Sequence, residues 1–264
     1  MKKYGFLDNL EKREEKKMTE VNTKKRFLLE QLKNMDEVFV LFSRCTRMPY
    51  IQCDEESFDD QIYIFRKEEN ALETAKVFQE AKIPVQVVKF PKENFLSFYS
   101  SLYFIGVNAM VVDKGEDEMR IQVRELVIPP DYSNLPEGKV RVDNPQFQLT
   151  AIYLMQMLRR EKGVKPNQEM KEMEEEMIAN MRKGTFIVPV QDDKQVPLMK
   201  LSDENMFQPV CSDIGEFNKF NRDKNFRPAV VPFAKLHEVV VPQAKGIVIN
   251  PLGVHVVLMK EQLK

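Results

Sequence analysis

Apolar residues recur along this chain in two spacings, one typical of helices and one typical of strands. Four of them have helical spacing near the amino end: Phe27, Leu28, Leu32 and Met35. The apolar run 38–41 that follows has the length and composition of a buried strand. Further runs of both kinds alternate through the chain. The pattern therefore predicts an α/β (α+β) fold.

Two helices are predicted in the middle of the chain. The first begins at Pro145, with Asn144 as its cap and Gly163 just past its end. Its apolar face consists of Phe147, Ala151, Leu154, Met155 and Leu158. The second follows Pro166, stops at Gly184 and carries Met170, Met173, Met177, Ile178 and Met181 at helical spacing. Such a methionine stripe forms either an adaptable docking surface or ordinary core, and helix packing favours core.

The segment 245–258, KGIVINPLGVHVVL, predicts a hairpin near the carboxyl end. Asparagine, proline and glycine in its centre have the composition of a type I turn, so we expect a four-residue loop, 250–253. His255 is then placed in the second strand, on the face opposite Val254 and Val256. In the alternative interpretation, the Asn250 amide and the turn backbone, including Pro251 and Gly253, contact a ligand.

Four pairs of segments in the two halves of the chain resemble each other in the same order. They are 32–42 with 178–190, 48–56 with 196–205, 83–90 with 227–233, and 109–115 with 246–253. This register predicts a tandem duplication of a unit of about 90 residues. Each unit is expected to be a mixed β-sheet flanked by helices, with a groove between the two units.

The chain divides at changes of composition. Residues 1–23 are a charged segment that predicts a loose or solvated helix, and 24–128 form the first α/β unit. A stretch rich in proline, aspartate and glycine runs from Pro129 to Pro145 and is typical of a connection between domains. We therefore assign 129–165 to a linker and helix, and 166–264 to the second unit.

Composition excludes several functional classes. Forty basic and forty-one acidic residues give a formal charge of -1, which argues against binding to nucleic acid. No apolar run approaches the about 18 residues that a membrane span needs, so membrane insertion is not expected. Three cysteines without paired spacing, and charges where a secretory core would be, predict a cytoplasmic protein with reduced thiols.

Cys45 carries the strongest indication of enzymatic chemistry. Its neighbours Arg44 and Arg47 would lower the pKa of an exposed thiol and favour the thiolate. A cysteine loop that binds phosphate requires an arginine six residues later, and Ile51 occupies that position. The interpretation as a loop cysteine is therefore preferred, and a thiol-dependent enzyme is the alternative.

The remaining candidate groups do not form a catalytic or metal-binding motif. His237 and His255 are isolated from other ligand-type residues, and the acidic run 53–60 lacks the spacing of a calcium loop. With nine glycines, the chain has none of the glycine-rich nucleotide-binding motifs. No metal site and no cofactor are predicted.

A short amphipathic helix is predicted within the segment 212–224. Ser212 is its expected cap, and its apolar face consists of Ile214, Phe217 and Phe220. Asp213 and Glu216 are expected on the exposed side, where they could contact a partner.

From residue 173 to the end, the chain resembles the SseB family of enhanced serine sensitivity proteins. The resemblance rests on MIANMRKGTFIVPV, VPLMKLSDEN, PVCSDIGEFNKF, RPAVVPF and, most specifically, GIVINPLG at 246–253. Residues 27–120 resemble the family only through the internal repeat, with AMVVDKG in place of the last motif. The resemblance implies an α/β module without established catalytic residues.

The sequence therefore predicts a non-catalytic cytoplasmic module that binds or regulates a protein or a small metabolite. One alternative is a thiol-dependent enzyme that uses Cys45. The other is a secretion-associated adaptor or structural subunit that docks through residues 1–23. The sequence leaves the oligomeric state open.

Overall fold

The computed structural model describes residues 4–263 except 116, 130, 132–134, 136–139, 161–164, 193–194 and 203–204, with side chains from residue 18 onward. The helices are α1 Tyr4–Asn34, α2 Glu68–Glu80, α3 Phe95–Phe104, α4 Val123–Leu126, α5 Pro145–Leu158, α6 Gln168–Arg182, α7 Ile214–Phe220 and α8 Phe233–Val239. The strands are β1 Glu37–Ser43, β2 Gln52–Cys53, β3 Asp60–Phe65, β4 Val85–Pro91, β5 Ala109–Val112, β6 Met119–Gln122, β7 Thr185–Val190, β8 Met199–Ser202, β9 Asn205–Val210, β10 Arg227–Pro232, β11 Gly246–Ile249 and β12 Val256–Met259. The predicted α+β class is confirmed.

The first half of the chain, from β1 to α4, forms one mixed sheet of six strands. Its order is β4-β1-β3-β5-β6, and β2 pairs with the free part of β3. Strands β3 and β5 are parallel, whereas the other pairs are antiparallel. The carboxyl ends of the two parallel strands lie side by side. The next residues after these strands, Arg66 and Asp113, are therefore also neighbours.

The second half, from β7 to the end, pairs its strands in the corresponding order but divides them into two sheets. One contains β10 and β7, and the other has the order β12-β11-β9-β8. Strands β9 and β11 are parallel. The two sheets meet at Ile187 and Cys211, which exchange backbone hydrogen bonds of 2.8 Å. One mixed sheet was expected here. Two are observed because this single pair is the only ladder contact between them in the described residues. The tandem duplication itself stays a prediction.

The two halves share one large apolar core. It contains the inner faces of both groups of strands together with α3, α5, α6 and α8. Strand β1 shows the expected alternation, because Val38 and Val40 face this core while Phe39 and Leu41 face α2. The methionine stripe of α6 is core, as predicted. Three of its residues are buried (Met170, Met177 and Met181), and each buried side chain stabilises the fold by about 1.5–3 kcal/mol.

Helix α5 joins the two halves through polar contacts. The Gln156 amide bonds to both backbone groups of Ile51, at 2.9 and 3.1 Å, and the Tyr153 hydroxyl donates to Asp60 at 2.7 Å. At the amino end, Asn144 donates to the carbonyl oxygens of Thr185 and Ser212, at 2.7 and 2.6 Å. Asn144 therefore links α5 to the second half and makes no side-chain cap of the kind predicted.

The side chains of α1 from residue 18 to residue 24 are exposed. Leu28 and Leu32 attach its last turns to the core. In the part of the chain that the structure describes, no helix combines the length and apolar character needed to cross a membrane. Gly163 and residues 130, 132–134 and 136–139 of the predicted 129–145 connection lie outside the described residues.

Candidate functional site

The turn between β11 and β12 is the centre of the candidate site. The two strands pair antiparallel, which confirms the hairpin, but β12 begins at Val256. The loop therefore spans 250–255 and is longer than the four residues expected. Asn250 and His255 have φ angles of 51° and 57°, in the left-handed region that asparagine tolerates best. His255 belongs to this turn and not to the strand in which the sequence pattern placed it.

The side chain of Asn250 is fully buried and forms three hydrogen bonds. Its Oδ1 accepts the backbone N–H of Ser212 at 2.8 Å. Its Nδ2 donates to Oγ of Ser212 at 2.8 Å and to Oε1 of Gln148 at 3.0 Å. Asn250 thus connects the hairpin, the start of α7 and helix α5. These bonds give the amide a structural role that leaves it closed to a ligand.

Helix α7 is capped by Asp213 and not by Ser212. The Asp213 Oδ1 accepts the backbone N–H of Glu216 at 2.9 Å, which satisfies a helix N–H that lacks an intrahelical partner. Its Oδ2 accepts from Ser212 Oγ and from Gln148 Nε2, both at 2.7 Å. Asp213 and Glu216, expected on the surface, are 2% and 3% exposed. The start of α7 is turned into the molecule, so its first acids lie under the hairpin turn.

Glu216 combines burial with an incomplete set of partners. Its Oε1 accepts from Lys219 Nζ at 2.5 Å, whereas its buried Oε2 has no hydrogen-bond partner among the residues that the structure describes. Burial raises the pKa of this carboxyl above its ordinary value, and the Lys219 charge opposes the rise. Gly253 lies against the carboxylate, because a Cβ on that glycine would be 2.8 Å from Oε2.

A groove of about 390 Å³ opens between the two halves beside this carboxyl group. We call it the inter-half groove. Its apolar side comes mainly from the first half and includes Phe42, Met48, Phe90, Phe98, Phe104 and Ile105. Its polar side comes from the second half and includes Asp213, Glu216 and Lys219. The second-half residues of the lining follow the carboxyl ends of the parallel strands β9 and β11, a position where α/β sheets commonly bind ligands.

A second cavity of about 380 Å³ lies on the other side of the hairpin turn. We call it the arginine pocket, after Arg44, Arg47 and Arg159 in its lining. The rest of its lining consists of Cys45, Thr46, Pro251, Leu252, Gly253 and His255. Residues that are about 200 positions apart therefore meet here. Arg47 and Leu252 line both cavities.

Burial raises the pKa of the Cys45 thiol, contrary to the expectation from its arginine neighbours. A side-chain hydrogen bond with Ser43 and the charges of Arg159 and Arg160 oppose this rise. Arg44 and Arg47 are exposed to solvent, which weakens the field they exert on the thiol. The half-buried environment of Cys45 therefore favours the thiol over the thiolate.

Arg159 fixes the relative position of the two loops that form the arginine pocket. Its Nη1 donates to the carbonyl oxygens of Cys45 and Val254, at 3.1 and 3.0 Å. Its Nη2 donates to the carbonyl oxygen of His255 at 2.8 Å. One guanidinium group thus bonds to loops from both halves. Arginine suits this role because its planar guanidinium presents several N–H donors in a fixed arrangement.

The structure brings together all the site residues that were predicted from the sequence. Arg44, Cys45 and Arg47 face the turn that contains Pro251 and Gly253, with Asp213 and Glu216 behind it. Sequence reasoning missed Gln148, Arg159 and His255 as members of the site. Gln148 stands on the apolar side of α5, and a glutamine there was the available signal. Nothing local distinguishes Arg159.

Residues 54–59 of the acidic run form a surface loop between β2 and β3. Hydrogen bonds from Ser57 and Arg120 lower the pKa of Asp54, so its charge is already compensated. Among the residues that the structure describes, no three His, Cys, Asp or Glu side chains are arranged to hold a metal ion.

No family model and no curated protein matches this chain. The solved structures with a weak likeness include two Tic22 proteins. Tic22 of Anabaena, a protein-transport protein, has a TM-score of 0.22 and 8% identity, over 77% of this chain and 81% of that chain. Tic22 from Plasmodium falciparum has a TM-score of 0.21 and 14% identity, over 79% of this chain and 84% of that chain. Both TM-scores are too low to carry an argument about fold or function.

Proposed function

We propose that this protein is a non-catalytic cytoplasmic binding module whose ligand occupies the inter-half groove. The observation that supports this most directly is the buried Glu216 Oε2, which lies beside an open cavity and has no hydrogen-bond partner in the described part of the chain. A buried acceptor without a hydrogen bond costs about 1–3 kcal/mol, and a ligand that donates to it recovers that loss.

The lining of the groove defines the chemistry of a suitable ligand. Phe42, Phe90 and Phe98 form a continuous aromatic surface, with ring centroids 5.8 Å and 4.3 Å apart in the two successive pairs. This surface suits an apolar body. Glu216 at the other side suits a hydrogen-bond donor such as an amine or an amide N–H. A small metabolite and a segment of a partner protein both meet these requirements.

The proposal is tested by closing the groove without altering the core. Ser97 is exposed on α3 and lines the groove, so a Ser97→Trp substitution would obstruct it. Val77, 60% exposed on α2, lies outside the described cavities, and Val77→Trp is the matched control. All three proteins are isolated gently from their own cells and weighed by native mass spectrometry.

A molecule retained by the wild type and by Val77→Trp, but not by Ser97→Trp, supports the proposal. The added mass distinguishes a small metabolite from a protein at fixed stoichiometry. Bare protein in all three samples, or equal retention by all three, contradicts it.

We further propose that residues 173–264 are an SseB-like unit and that the first half is a diverged copy of it. The matching order of strand pairing in the two halves supports the second statement. The strand-turn motif GIVINPLG, which forms β11 and its turn, supports the first.

A second candidate function is thiol chemistry at Cys45. One observation favours it, because His255 lines the same cavity and could accept the thiol proton. Alkylation at neutral pH separates the two functions. Reaction at Cys45 that is much faster than at Cys53 and Cys211 would support an enzyme. The raised thiol pKa instead predicts slow reaction at Cys45.

A further inference from the structure

The arginine pocket concentrates positive charge in a protein whose overall charge is close to zero. Of the described residues, three arginines and no acidic side chain line it. Arg44 and Arg47 form no ion pair with any residue that the structure describes. With forty-one acidic residues in the chain, unpaired arginines side by side are not a consequence of composition. Solvent screens the charges of these two exposed side chains, and a bound anion would pair with them directly.

The backbone around the pocket is held in a defined shape. Arg47 and His255 both have left-handed φ angles, 58° and 57°. Each such residue costs about 1–2 kcal/mol, which the surrounding contacts must compensate. Arg159 supplies part of that compensation by bonding to the carbonyl oxygens of Cys45, Val254 and His255. The pocket is therefore organised before any ligand arrives.

Hydrogen-bond donors in the arginine pocket remain available to a ligand, as far as the described residues show. The guanidinium groups of Arg44 and Arg47 have no hydrogen bond to a described residue, and each can donate in parallel from a planar fork. Nδ1 of His255 lies 3.2 Å from the carbonyl oxygen of Pro251, which leaves Nε2 for another contact. The tetrahedral oxygens of a phosphate group match such forks in charge and geometry.

We propose that the arginine pocket binds a phosphate group, through Arg44 and Arg47, with Arg159 holding the two loops together. This site lies across the hairpin turn from the inter-half groove and goes beyond the function proposed for that groove. Its volume of about 380 Å³ accommodates a small phosphorylated molecule.

Titration calorimetry with inorganic phosphate, at constant ionic strength, tests the proposal on the full chain. The wild type is expected to bind with a dissociation constant of about 1 mM or tighter. The double variant Arg44→Gln/Arg47→Gln is expected to bind about tenfold or more weakly, because each arginine contributes charge-assisted hydrogen bonds. Both side chains are exposed, so the variant should fold, and circular dichroism verifies this.

The matched control is Arg182→Gln/Arg222→Gln, which removes the same charge from exposed positions elsewhere. Unchanged affinity in this control, with loss in the Arg44/Arg47 variant, supports the site. Equal affinity in the two double variants, or no phosphate binding by the wild type, overturns it.

A second arm identifies the source of the phosphate group. Sedimentation with vesicles that contain phosphatidic acid is compared with vesicles of phosphatidylcholine alone. Phosphate binding without vesicle binding supports a soluble ligand. Binding to phosphatidic acid vesicles that requires Arg44 and Arg47 supports the site with a lipid headgroup as the source.

Discussion

Asn250 and Asp113 hold corresponding positions in the two halves. Each follows the second parallel strand of its half with a left-handed φ angle, 51° and 49° respectively. The backbone N–H of Asn250 donates to Val210 at 2.8 Å, and that of Asp113 donates to Ile64 at 2.9 Å. The side-chain Oδ1 of each accepts a backbone N–H from just beyond the neighbouring parallel strand: Ser212 after β9 at 2.8 Å, and Arg66 after β3 at 2.9 Å.

The two residues differ in what surrounds the rest of the side chain. Asp113 pairs with Nε of Arg66 at 2.5 Å, and Arg66 in turn donates to Gln31 at 2.7 Å. Asn250 donates to neutral groups that themselves donate to the carboxylate of Asp213. Position 113 therefore requires a negative charge, and position 250 requires a neutral amide.

Exchanging these two side chains should affect stability unequally. We expect Asn250→Asp to lower the free energy of unfolding by about 2–4 kcal/mol, because it removes two donated hydrogen bonds and buries a carboxylate near Asp213. Asp113→Asn keeps the Oδ1 acceptor and loses only its pair with the partly exposed Arg66, so we expect about 1–2 kcal/mol. Urea denaturation with an unchanged m-value measures both.

Asn225→Asp, at an exposed position, is the control for this exchange and should change the free energy by less than about 0.5 kcal/mol. A larger loss at Asp113 than at Asn250 would contradict the assignment of charge at the two positions.

Glu216 should make the protein less stable as the pH rises. Burial raises the pKa of Glu216 above its ordinary value of 4.5, so the native state binds its proton more tightly than the unfolded chain does. Its contribution to stability is complete below pH 4.5 and is lost as the pH rises through the raised pKa. Glutamine resembles the protonated form, so Glu216→Gln should be more stable than the wild type at neutral pH.

The measurement is the difference in free energy of unfolding between Glu216→Gln and the wild type, from pH 4 to pH 7, with Glu56→Gln as an exposed control. The difference should grow with pH for residue 216 alone. A difference that is constant, or that shrinks as the pH rises, would contradict the prediction.

Gly253→Ala should force the Glu216 carboxylate to move. The new Cβ would lie 2.8 Å from Oε2 and 3.0 Å from Oε1, both closer than ordinary contact. We expect a loss of about 1–3 kcal/mol in the free energy of unfolding, as for other overpacked sites.

A double-mutant cycle with Glu216→Ala isolates the cause, because removing the carboxylate leaves room for the methyl group. In the Glu216→Ala background, Gly253→Ala should then lower the free energy of unfolding only slightly. The same cost in both backgrounds would show that the glycine is needed for another reason.

Arg159→Lys should loosen the loops around the arginine pocket. A single ammonium group cannot replace three donations to carbonyl oxygens in two loops, so we expect a loss of about 1–2 kcal/mol. Hydrogen exchange should accelerate at the amides of Arg47, Gly253 and His255, whose N–H groups bond within these loops.

Arg182→Lys on α6 makes the same exchange at an exposed helix position and should leave those amides unchanged. Equal protection of the three amides in Arg159→Lys and the wild type would show that Arg159 does not hold these loops in place.

The sequence alone determined the local elements. Strand β1, helices α5 and α6 and the 245–258 hairpin all follow from spacing and turn residues, because helix and strand periodicity are properties of neighbouring positions. It also singled out Arg44, Cys45, Arg47 and the 250–253 turn, because unusual residue types are visible without coordinates.

Only the tertiary structure decided how these pieces meet and how exposed they are. Asp213 and Glu216 have the spacing of a surface helix, yet both are buried, because the hairpin turn and α5 cover the start of α7. Arg159 has the appearance of an ordinary residue at a helix end, and its role comes from carbonyl oxygens far away in sequence. Burial, pKa and cavity shape depend on contacts between distant segments, and local sequence patterns carry no information about them.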